Sequence, residues 1–88
     1  MRLELKKFGT VLTSRPSGKE AYLAAKAYSL PKDRTEKIEV DFDGVEVLAP
    51  SWADEFITPL LVDFAGKVTL LSSSNASVKA TLEIILKK

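Results

Sequence analysis

Neither cysteine nor histidine occurs among the 88 residues. Without thiols there is no disulfide framework, no thiolate nucleophile and no cysteine-bound zinc or iron–sulfur site, and a small domain lacking disulfides suits a reducing compartment. Without imidazole the commonest general acid/base and a leading metal ligand are gone. Any catalysis would fall to carboxylates, Lys, Ser, Tyr or a bound metal. A charge excess is missing too: 13 Lys and Arg against 12 Asp and Glu leave a net +1 with no basic stripe for a polyanion. The Lys87-Lys88 pair is too short to act as a basic tail. No apolar run approaches the roughly 18 residues that span a bilayer. The opening residues alternate with charge and lack the apolar stretch of a signal peptide. These absences point to a cytoplasmic protein that binds neither nucleic acid nor membrane.

What is present reads as globular: 45% apolar and 28% charged residues. The length suits one domain over residues 1–88. Met1 to Lys6 alternates, with Leu3 and Leu5 opposite Arg2, Glu4 and Lys6, which is strand periodicity. Gly9-Thr10 breaks it, and Val11 to Thr13 is a short second strand. Ser17-Gly18-Lys19-Glu20 fits a capping box, opening an Ala-rich helix to about Ser29 whose spacing places Ala21, Ala24, Ala25 and Tyr28 together. Pro31 ends it. Lys37 to Phe42 alternates again, Asp43-Gly44 is a turn signal, and Val45 to Leu48 continues the apolar character. Ser51 fits the next helix cap, with Asp54 in its first turn. Ala53, Phe56, Ile57, Leu60, Leu61 and Phe64 follow at helical spacing, with Pro59 expected to kink or split the helix near Thr58. Lys67 to Leu71 is a strand, Ser72 to Asn75 a polar loop, and Val78, Leu82, Ile85 and Leu86 mark a last helix.

Strands alternating with helices imply an α/β fold with a small, mainly parallel sheet. Sheets covered on both faces carry near-continuous apolar strands. Here Glu4, Glu39 and Asp41 point away from the apolar set, so the helices are expected on one face only. The other face is polar, or covered by a partner such as a second copy.

Five positions stand out as partner-binding candidates. A hydroxyl at a helix start, as at Ser51, is a good phosphorylation site because the dipole stabilises the added dianion, although Asp54 and Glu55 would repel it. Arg15 could pair with Asp54 or Glu55, or with a partner's anion. Trp52 lies beside the apolar stripe, where it is either an interface anchor or a core residue. Asp41, Asp43, Asp54 and Glu55 form a carboxylate set that could converge on magnesium, or serve only as turn and helix-start residues. Asp41-Phe42-Asp43-Gly44 resembles the first motif of the haloacid dehalogenase phosphatases, in which two aspartates act with magnesium. Val45 stands where Thr is expected there, and only 44 residues follow Gly44. The simpler reading is a strand end followed by a turn.

A wider set of segments resembles the STAS-like family of small domains. It comprises Phe8-Gly9, Leu12-Thr13-Ser14-Arg15, Val40-Asp41-Phe42-Asp43-Gly44-Val45, Ser51-Trp52-Ala53-Asp54-Glu55 and Asn75. Such domains are similar to anti-sigma factor antagonists, which bind a kinase-fold ATPase of the histidine-kinase type and are switched off by phosphorylation of a Ser at the start of the second helix. The resemblance implies a STAS-like fold, places Ser51 at the phosphorylated position, and implies a protein-binding surface around Ser51 and Trp52, with Arg15, Asp54 and Glu55 completing the partner-binding candidates.

The leading expectation is a non-enzymatic regulatory or adaptor module that docks a protein partner in partner-switching signalling, without a cofactor or metal. Behind it stand a magnesium-dependent phosphatase using Asp41 and Asp43, and a structural homodimer formed through the polar sheet face.

Overall fold

Alternation of charge and leucine makes the first strand, β1 (Arg2–Glu4), shorter than the sequence periodicity suggests. From Leu5 to Phe8 the chain tightens into a 3-10 turn, which still buries Leu5. The structure, a computed structural model, describes residues 1–87. It continues through β2 (Val11–Leu12), α1 (Arg15–Tyr28), β3 (Ile38–Asp41), β4 (Val47–Leu48), α2 (Pro50–Asp63), β5 (Val68–Leu70) and α3 (Ala76–Leu86). No helix among the described residues is long and apolar enough to cross a membrane.

All strand pairings are parallel, as the crossovers require, but they fall in two sheets. One has the order β1-β3-β5 and the other pairs β2 with β4. The second sheet continues the first. The same two chain segments run side by side twice, Arg2 beside Glu39 and later Val11 beside Val47. Between the two pairings one segment makes the Leu5–Phe8 turn. The other makes a β-turn closed by the Val45 N–H on the Phe42 carbonyl. Gly44 in that turn has φ of +86°, a region that glycine enters without strain.

The sheet is two-faced, as the alternating strands imply. Leu3, Ile38 and Val40 are buried while Arg2, Glu39 and Thr69 are exposed. The helices gather over the apolar side. Trp52, Ala53, Phe56, Ile57 and Leu60 of α2 are all buried, so α2 is the central helix. Pro59 does not split it: α2 is one helix from Pro50 to Asp63, and burial on both sides of the proline outweighs the lost backbone hydrogen bond.

Three expected helix details are corrected. Helix α1 is capped by Ser14, whose Oγ accepts the Ser17 N–H, so the helix starts three residues before the Ser17 capping box. Its buried face is Gly18, Tyr22 and Ala25, whereas Ala24 and Tyr28 are exposed. Helix α2 is capped by Ala49, with Pro50 at its first position and no side-chain cap. Proline's fixed φ favours that position and extends the residue before it. Ala49 is thereby held as an extension of β4, its N–H donating to the Leu12 carbonyl.

Helix α3 fastens the second sheet. Asn75 caps it by accepting the Val78 N–H, and its amide nitrogen donates to the carbonyls of Val45 and Glu46. Ser77 both accepts from the Leu48 N–H and donates to the Leu48 carbonyl, to which the buried Thr81 hydroxyl also donates. Hydroxyls on a helix thus satisfy a strand backbone that would otherwise lie buried without partners.

Candidate functional site

The starts of α1 and α2 meet at one corner of the molecule. Ser14 caps α1, which puts Arg15 at the first helical position, inside the helix and not before it. A cation there opposes the positive end of the helix dipole. Two carboxylates from α2 offset this: Arg15 Nη1 lies 3.1 Å from Asp54 Oδ2 and 3.1 Å from Glu55 Oε2. The hydrogen bond that Arg15 donates to Asp54, and then the one it donates to Glu55, hold the guanidinium above its ordinary pKa. Asp54 is fixed further by the Thr58 hydroxyl, which donates to Oδ1. The arginine itself is more than half exposed, so the triad faces solvent.

Because α2 begins at Pro50, Asp54 and Glu55 sit in its second turn rather than its first. Ser51 is in the first turn, half-buried, and caps nothing. It stands three and four residues before Asp54 and Glu55, on the same helix face. Capping, the usual reason for serine at a helix start, therefore does not account for Ser51.

Trp52 is completely buried. Its ring stacks on Phe56 at 4.9 Å and 14°, and Phe8 approaches Phe56 at 5.2 Å. Of the two sequence readings of Trp52, the core one is seen. The tryptophan cannot touch a partner and instead supports the corner from behind, with its buried Nε1 lacking a hydrogen-bond partner.

The Asp-x-Asp-Gly string forms a turn. Asp41 Oδ1 accepts the Asp43 N–H, and its Oδ2 lies 3.6 Å from Arg2 Nε. Among the described residues no group of three or more Asp and Glu gathers closely enough to hold a metal ion. The four carboxylates singled out in the sequence therefore divide, Asp54 and Glu55 joining Arg15 while Asp41 and Asp43 serve a turn.

A groove of about 520 Å³ between α1 and α2 has Glu55 and Thr58 in its lining, and thus adjoins the triad. Leu23 and Val62, 56% and 72% exposed, line it. Sequence reasoning missed both. The available signal was their place off the buried stripes, Leu23 next to Tyr22 and Val62 after Leu61.

A family profile described as a STAS-like domain of unknown function (DUF4325) matches residues 26–77, well over half the chain. The chain belongs to this STAS-like family, and its small parallel sheet with three helices is the α/β fold expected of it. The matched stretch includes Ser51, Asp54, Glu55 and Asn75, whereas Arg15 lies outside it. No curated protein and no solved structure matches the chain.

Proposed function

We propose that this domain is a regulatory or adaptor module that docks a protein partner at the corner formed by Arg15, Asp54 and Glu55 and along the adjoining groove. The observation that carries this reading is the Arg15 triad. Three charges from two helices are held together on an exposed surface, where such pairs add little to stability but present a defined electrostatic pattern to a partner. Leu23 and Val62 add apolar area beside it. Trp52 contributes only by backing the corner.

The partner proposed is a kinase-fold ATPase of the histidine-kinase type, with Ser51 as the modified residue. In support, the first turn of α2 carries no side-chain cap, and a dianion there is favoured by the free N–H groups and the dipole. Asp54 and Glu55 would oppose the phosphate, but Arg15, which already binds both carboxylates, would offer it a bidentate donor. Phosphate would then compete with the carboxylates for Arg15 and change the charge pattern at the corner.

Affinity capture with ATP present tests this reading, using wild type, Ser51→Asp and Arg15→Glu as baits and mass spectrometry as readout. A kinase-fold ATPase held by wild type and lost with both variants, together with phosphate on Ser51, supports it. Identical captures on all three baits, with Ser51 unmodified, would sink it. Trp52→Ala is unsuitable as a docking test, because emptying a fully buried indole site costs about 3–5 kcal/mol of fold stability.

A further inference from the structure

We infer that the outer edge of β5, with the apolar groove beside it, binds an acidic peptide segment in extended conformation, which adds to the sheet as a fourth strand. This surface is separate from the Arg15 corner and does not depend on the reading given for that corner.

Hydrogen-bond parity identifies the edge. The Ile38 N–H donates to the Lys67 carbonyl, and the Leu71 N–H donates to the Val40 carbonyl. In a parallel ladder alternate residues bond to one side, so residues 67, 69 and 71 face β3. The N–H and C=O groups of Val68 and Leu70 then point to the opposite edge. The sheet order is β1-β3-β5, and among the described residues no strand pairs with that edge. A row of unused backbone donors and acceptors is a template for another strand, and only an extended backbone matches its spacing.

The flanking groove favours the same occupant. A space of about 600 Å³ lies between the end of β5 and α3, lined by Leu70, Val78, Leu82 and Leu86 among others. A strand laid on the edge would send alternate side chains into it, because side chains alternate between sheet faces. Among the described residues Lys79 and Lys87 line the groove against the one carboxylate of Glu83, and Lys67 stands at the start of the strand. Two copies of this lysine-rich edge would set like charges against one another, whereas acidic residues flanking the apolar ones of a peptide would complement it.

The test uses isotope-labelled full chain and an eight-residue blocked peptide alternating Val and Glu, with two controls. One control replaces Glu by Lys, and the other is methylated on alternate backbone nitrogens to remove its donors. The expected result is a shift of the Val68 and Leu70 amide resonances with the Val/Glu peptide and no shift with either control. Lys79→Glu, on the exposed face of α3, should weaken binding about threefold or more while leaving the remaining spectrum in place. No shift at those amides, or equal binding of the methylated peptide, would overturn the inference. So would shifts at the same amides on concentrating the protein alone, which would assign the edge to a second copy.

Discussion

Gly18 of α1 and Trp52 of α2 meet with no room between them. A Cβ on Gly18 would lie 2.5 Å from the Trp52 carbonyl oxygen and 3.0 Å from its Cα, both parts of a helix backbone that cannot swing aside. This contact lets α1 lie against α2 closely enough for Tyr22 to meet Phe56 edge-on at 5.4 Å and for Arg15 to reach Asp54.

Gly18→Ala should therefore destabilise the domain. Alanine favours a helix interior over glycine by about 1 kcal/mol, and an isolated α1 would gain from the change. In the folded chain the added methyl forces the helices apart, a form of overpacking that typically costs about 1–3 kcal/mol. A lower urea midpoint than wild type is expected. An equal or higher midpoint would show that the two helices separate without penalty.

Asn75 performs two tasks that can be separated. Asn75→Asp keeps the oxygen that caps the Val78 N–H but loses the amide donors to Val45 and Glu46, whereas Asn75→Ala loses both. Losing the cap alone costs about 1 kcal/mol, and each unmet carbonyl adds about as much. Denaturant unfolding should rank wild type above Asn75→Asp and Asn75→Asp above Asn75→Ala. Equal stability of the two variants would mean that repulsion between the Asp carboxylate and the two carbonyls cancels the cap.

Thr81→Val tests whether α3 is bonded to β4 or merely rests on it. The substitution nearly conserves shape and removes one hydroxyl from the Leu48 carbonyl, which Ser77 also serves. The expected loss is about 1 kcal/mol. Amide exchange should accelerate at Leu48 before it does in β3. Uniform acceleration would indicate a global effect instead.

Stability should decline in alkali through Tyr22. Burial first, and then its hydrogen bond to Asp63, push the phenol well above its ordinary 10.0, with Arg34 acting weakly in the opposite sense. Above pH 10 the unfolded chain releases this proton while the folded chain keeps it. The stabilisation is therefore complete below that pH and is lost as pH rises toward the folded-state value. Between pH 9 and 11 the urea midpoint of wild type should fall more steeply than that of Tyr22→Phe. Parallel slopes would show that Tyr22 is not the group responsible.

Arg15→Ala should leave the unfolding midpoint close to wild type at physiological salt, because the guanidinium is solvent-screened. The same variant should abolish partner capture if the corner is a docking surface. A large fall in midpoint would instead make the triad a structural clamp.

Local pattern was enough to determine the α/β class, the positions of strands and helices within a few residues, and the two-faced sheet. It also located the Asp43-Gly44 turn and the residues from which the corner is built. Each of these rests on neighbours in sequence: the period of apolar residues, a proline, a turn dipeptide. The amino-acid pattern was ambiguous wherever two local signals competed. Ser17 reads as a cap in the sequence, but α1 is capped by Ser14, and Pro16 in its first turn suits that earlier start. Ser51 resembles a cap, but Pro50 can open the helix earlier because Ala49 is held by Leu12, thirty-seven residues away in the chain. Contacts between distant segments likewise decided that Trp52 is core, that Arg15 holds Asp54 and Glu55, that Asp41 and Asp43 serve a turn, and that β2 and β4 form a second sheet fastened by hydroxyls of α3. No local period encodes such contacts, because their free energy exists only once separate elements have come together.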